Sequence, residues 1–120
     1  MDIKEFEKIV LKSVENIPEK FKQILEKENI RLIIREKVPN CLSFNKKNSI
    51  IFGLFIGISY NKRSVFNINT EPTRIELYKE SFEKVFDNTQ DIEDQVQKTV
   101  VHEIGHYFGF SEKELRDYSL

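Results

Sequence analysis

The chain has 120 residues, 39% hydrophobic and 32% charged, with 4 Gly and 3 Pro. That composition suits one globular domain spanning 1–120 and excludes a fibre or a disordered polymer. Nineteen basic residues face 20 acidic ones, a net charge of −1, so no overall field selects nucleic acid or an anionic membrane as partner.

One cysteine, Cys41, rules out an intrachain disulfide framework and suits a reducing compartment. The opening MDIKEFEKIV carries charges where a secretory leader has its apolar run, so the expectation is a cytoplasmic protein. Ile3, Phe6, Val10 and Val14 recur at helical spacing and predict an amphipathic helix. Pro18 opens a second helical pattern with Phe21, Ile24 and Leu25 on one face. Ile30 to Val38, IRLIIREKV, reads as a strand ended by PNC.

The most apolar run is IIFGLFIGI, Ile50 to Ile58. It has less than half the length of a membrane-spanning helix, so no membrane span is expected. Its β-branched residues predict a buried strand region, with Gly53 and Gly57 marking bulges or a tight bend. A polar stretch, NKRSVFNINTEP, leads into the alternating strand TRIELY, Thr73 to Tyr78, and KESFEKVF follows as a short helix. A long helix runs from about Asp91 to Gly109, and SEKELRDY starts a last one. Val96, Val100, Ile104, Phe108 and Leu115 are spaced as a core stripe, with Phe82 and Phe86 packing against it. Helices first, strands in the middle and helices last predict an α+β fold with a small mixed sheet.

Both histidines of the chain lie in VVHEIGHYFGFSEKEL, at His102 and His106, with Glu103 between them. Side chains four apart on a helix stand one above the other, so two imidazoles can reach one ion. Glu103 lies about 100° further round the helix, placed to reach a water beside the ion without ligating it. Two ligands and a general base are the parts of an H-E-x-x-H zinc site. The bland alternative is a pair of helical histidines lining or capping a core.

HEIGHYFGFSE resembles the extended zincin signature H-E-x-x-H-x-x-G-x-x-ligand, with Gly109 in the glycine place and Glu112 in the third-ligand place. It departs from the metzincin form, which has a third histidine and a Met-turn, because Glu112 stands there and the only methionine is Met1. It is more similar to a family of small bacterial zincin-like proteins, the minimal metallopeptidase-like family, over roughly Pro18 to Leu115. That resemblance implies a zinc-binding α+β fold with a C-terminal active-site helix and a peptidase role. It also implies that TRIELY lies at a sheet edge where a substrate peptide can pair.

The residues themselves leave Glu112, Glu114, Asp117, Cys41 or a residue further upstream as third-ligand candidates. On a straight helix Glu112 would lie about 9 Å beyond His106 and far round the cylinder. A left-handed Gly109 can instead turn the chain back. Ser111 and Glu114 then read as a capping box, which occupies Glu114 and frees Glu112. Cys41 reads as a plain thiol and Asp117 as a surface residue.

Together these features predict a zinc-dependent hydrolase acting on a peptide or protein substrate. Zn²⁺ sits on His102, His106 and Glu112, with Glu103 as general base. The alternative is a non-catalytic zinc-binding interaction module. Tyr107 and Tyr118 are candidate donors beside the metal, although simple packing accounts for either.

Overall fold

The computed structural model describes residues 1–40, 50–57 and 73–117, and Cys41, Tyr118 and the NKRSVFNINTEP stretch fall outside them. No described helix is long and apolar enough to cross a membrane.

Asp2 starts helix α1 (Ile3–Glu15), its carboxylate accepting the Glu5 N–H at 2.8 Å. Pro18 precedes α2 (Glu19–Lys27), where a residue without an N–H costs nothing. That helix closes in a Schellman turn: Asn29 takes φ 53°, and the Ile30 N–H donates to the Leu25 carbonyl at 2.9 Å. Ile30 is therefore committed to the helix end, and strand β1 (Arg31–Arg35) starts one residue later than the apolar pattern predicts. It also stops early. Beyond Arg35, the Glu36 carbonyl accepts the Glu80 N–H at 3.0 Å and the Val38 N–H donates to the Glu80 carboxylate at 2.8 Å. Those bonds take the backbone groups that a longer strand would need.

Strands β2 (Gly53–Ile56) and β3 (Arg74–Tyr78) complete a three-stranded mixed sheet in the order β1-β3-β2, parallel between β1 and β3 and antiparallel between β2 and β3. The TRIELY strand is thus central, with both sides hydrogen-bonded, and the expectation that it forms an edge is corrected. Among the described residues, β2 and β1 are the edges. Burial fits this order: β3 needs two partners because four of its five residues are buried. Ile50 is 48% exposed and precedes β2, so the apolar run is only partly core.

Alternation sends Ile75 and Leu77 into the core beside Leu32, Ile34 and Phe55. Glu76 points to the opposite face and is 3% exposed. It is held by Arg35 Nη2 at 2.9 Å, Arg74 Nε at 2.9 Å and the Tyr78 hydroxyl at 3.1 Å.

Three helices follow: α3 (Lys79–Val85), α4 (Thr89–Tyr107) and α5 (Glu112–Arg116). The Asn88 side chain caps α4 by accepting the Asp91 N–H at 2.9 Å, which places the start two residues ahead of the expected one. α4 is the axis of the molecule, with α1 along one flank and β2 along another. Val96, Val100, Ile104 and Leu115 are fully buried as expected, while Phe108 is only partly so because it caps the helix. Phe82 packs on Phe6 with ring centroids 5.3 Å apart, and Phe52 joins it to Phe86.

Gly53 sits in regular ladder pairing, not in a bulge. A Cβ there would lie 2.7 Å from the Glu76 carbonyl oxygen and 3.0 Å from Thr99 Cγ2. The glycine is what lets strand, strand and helix meet. Gly53→Ala is expected to destabilise the fold by about 1–3 kcal/mol in denaturant unfolding, because the close neighbour is backbone and cannot move aside.

The Glu76 network gives a pH dependence. Burial pushes the Glu76 carboxyl up, but hydrogen bonds from Arg35, Arg74 and Tyr78 outweigh it and hold the group below the ordinary carboxylate range. A lowered folded pKa means stability that is complete above that range and lost as pH falls through it. Unfolding free energy measured against pH should fall through the acid range, and Glu76→Gln should remove part of that slope at a cost in stability near neutrality.

Candidate metal centre

With Val100, Val101, Ile104 and Gly105 buried, α4 has one rotational setting. It leaves His102 and Glu103 half-buried and His106 exposed on the remaining face. The two imidazoles lie edge-on, ring centroids 5.9 Å apart, as one-turn neighbours should.

The helix then stops in a second Schellman turn. Gly109 adopts φ 80°, the Phe110 N–H donates to the Gly105 carbonyl at 2.7 Å, and the Gly109 N–H donates to the His106 carbonyl at 3.4 Å. Phe110 is held from the other side by Phe21 of α2, ring centroids 5.4 Å apart, with the Lys20 ammonium 4.9 Å from its ring centre. The predicted capping box is present: Ser111 Oγ accepts the Glu114 N–H, and the Glu114 carboxylate accepts the Ser111 N–H, both at 3.1 Å. The chain reverses, and α5 lies back against α4.

The reversal brings Glu112 Oε1 to 2.9 Å from His106 Nε2. One donor atom from each of His102, His106 and Glu112 falls within 4.8 Å of the others. Donors at the 2.0–2.2 Å zinc distances stand about 3.3 Å apart in a tetrahedron, so these three fit a zinc ion after small side-chain adjustments. The hydrogen bond to His106 holds the Glu112 carboxyl below its ordinary value, with Coulombic attraction to His106, His102 and Arg116 in support. Glu114 is not part of the convergent group, nor is Asp117, which caps the end of α5.

Glu103 stands outside that group too. Its Oε2 accepts the Phe55 N–H of β2 at 3.1 Å. The sheet register explains the bond. The Phe52 carbonyl accepts the Tyr78 N–H, so Phe52, Leu54 and Ile56 face β3, while Gly53 and Phe55 turn their polar groups the other way. The Phe55 ring also stacks on Tyr107 at 4.1 Å between centroids, which places that tyrosine in packing. A groove of about 440 Å³ opens between the residues around the start of β2 and α4, lined by Ile50 to Gly53, Gln95, Lys98, Thr99, His102 and Glu103.

Two contributors escaped sequence reasoning. Gly105 is the first: a Cβ on it would lie 2.5 Å from Leu115 Cδ2. A glycine inside a helix costs about 1 kcal/mol against alanine, which is a signal of close packing. Phe55 is the second, and an N–H contributed by a strand leaves no mark in the side-chain pattern.

An H-E-x-x-H helix, a reversed acidic residue beside it and a small sheet along its flank describe a metallopeptidase of the zincin type. The family model for zincin-like metallopeptidases matches residues 28–119, and the chain belongs to that family. The match takes in the sheet and the whole candidate site and leaves out α1 and α2. None of the curated proteins matches the chain. Metal-dependent peptide hydrolysis, usually with zinc, is the activity the family implies.

Two glycines should fail for different reasons. A Cβ on Gly109 meets nothing within 4 Å, so Gly109→Ala should cost only backbone strain, about 1–2 kcal/mol, and Gly109→Asn less. Gly105→Ala has acceptable backbone but no room, and should loosen α5. Amide exchange in α5 that rises in Gly105→Ala while the rest of α4 stays protected would show it.

Proposed function

We propose that the protein is a zinc-dependent peptidase, with His102, His106 and Glu112 holding the ion and Glu103 acting as general base. The observation that carries this reading is the convergence of three donors beside a carboxylate that is tethered elsewhere. The Phe55 bond uses one Glu103 oxygen, and the other is the one that a site meant only to hold metal would leave without a task.

A zinc ion there would supply Lewis acidity towards a scissile carbonyl and towards water. The chain's own residues do the rest. With Oε2 occupied by the Phe55 N–H, Glu103 has Oε1 left to accept a proton from the attacking water and deliver it to the leaving amine. The outward polar groups of β2 lie beside that carboxylate. A peptide substrate adds along this edge as a strand, since β3 is enclosed. A chain with one cysteine suits the cytoplasm as its setting.

Elemental analysis and a peptide-library digest separate the parts. His102→Ala, His106→Ala and Glu112→Ala should each lose tight zinc binding, by about tenfold or more, with Glu112→Ala the mildest. Glu114→Ala should lose about 1 kcal/mol of capping and keep its zinc. Glu103→Gln should retain zinc and fold but abolish cleavage, since an amide cannot accept the proton. Cleavage that survives Glu103→Gln would remove the mechanism, and a zinc-replete wild type that cleaves nothing in the library would favour a non-catalytic zinc module.

A further inference from the structure

Lys98 stands four residues before His102 on the same stripe of α4, so its side chain and the imidazole share one wall of the groove. Apart from His102 and Glu103, it is the only charged side chain among the described residues that line this groove. It is exposed. Lys12, Lys22, Lys79 and Lys84 stand within ion-pair distance of glutamates, whereas several other described lysines, Lys4, Lys8 and Lys27 among them, do not. Lys98 has no such partner among the described residues, and Asp94, one turn before it, is hydrogen-bonded to Gln90 instead. A positive charge beside a reaction site, exposed in the groove and without an ion-pair partner among the described residues, can serve as a specificity element for an anion.

The opposite wall fixes where a peptide would run. The outward N–H of Phe55 already donates to Glu103, so the last residues of β2 cannot serve a new strand fully. Gly53 also turns its N–H and C=O away from β3, and with Ile50 to Phe52 it lines the same groove as Lys98 and Thr99. A strand added along the residues that lead into β2 therefore runs through the groove that Lys98 lines. Four helical residues span about 6 Å of axis, and an extended peptide advances about 3.3 Å per residue, so the charge meets the peptide about two residues from the group at His102.

We propose that Lys98 is a specificity-determining residue that pairs with a carboxylate of the peptide, about two residues from the scissile bond. The carboxylate is either an acidic side chain or the peptide's own C-terminus. A single ammonium on a flexible stem suits a carboxylate of either origin, since both are point-like partners of one negative charge. The inference rests on the peptidase reading and deepens it by naming the substrate class.

The test measures binding apart from turnover. Zinc-loaded Glu103→Gln protein is titrated with three fluorescent peptides of equal length: one neutral and amidated, one neutral with a free C-terminal carboxylate, and one amidated with internal glutamates. One of the two acidic peptides should bind roughly five- to tenfold tighter than the neutral one, the range for a charge-assisted contact, and which of them does so identifies the source. Lys98→Met, which keeps the aliphatic stem, should erase that advantage and leave the neutral peptide unchanged, and Lys98→Glu should favour a lysine-containing peptide. Equal binding of all three peptides, or an advantage that persists in Lys98→Met, overturns the proposal. Turnover by the wild type separates this from the parent reading. Acid-selective binding without any cleavage would remove the peptidase function and keep Lys98, whereas cleavage of all three at equal kcat/KM would remove Lys98 and keep the peptidase.

Discussion

Leu115 resting on the bare backbone of Gly105 is the contact from which the geometry of the site follows. α5 is a 5-residue helix, too short to hold its place by its own hydrogen bonds. Its one buried residue is Leu115. Burying that side chain against α4 supplies on the order of 2 kcal/mol, and the capping box adds about 1 kcal/mol. Those two terms, with the left-handed Gly109 between them, set how Glu112 approaches His106. A β-carbon at residue 105 would separate the helices without touching any donor atom.

The other side of the site depends on β2. Gly53 lets the strand approach α4, the Phe55 ring lies on Tyr107, and the Phe55 N–H meets Glu103. These contacts are of three different kinds: close backbone approach, ring stacking and a charge-assisted hydrogen bond. Because Gly53 and Phe55 share one strand and face the same way, the sheet register that places one places the other. The orientation of the carboxylate is therefore tied to the pairing of β2 with β3, and the hydrogen-bonded face of β3 is part of the chemistry's support even though none of its side chains reaches the groove.

Much of this was legible in the sequence because it was local. The H-E-x-x-H spacing, the glycine three residues on and the S-x-x-E cap are all governed by rules that act within one helical turn. The structure brings His102, His106 and Glu112 together as those rules predict. Fold class was legible for a similar reason, since the periodicities separate helical ends from a central sheet. Strand order was not, because β3 pairs with residues about twenty and forty positions earlier, and nothing in TRIELY distinguishes a central strand from an edge except the unusual burial of Glu76. The start of β1 was missed by one residue because Asn29 adopts the left-handed conformation more often expected of glycine.

The two histidines and Glu112 belong to parts of the molecule with unequal holdings. His102 and His106 stand on a 19-residue helix with eight buried residues, whereas Glu112 stands on a piece anchored by one. Segments with few buried contacts open far more often than the core does. The residence time of an ion in the proposed site would then be set by how often α5 lifts, not by global unfolding. Exchange of metal with the surroundings would proceed on a native protein, through a door hinged at Gly109.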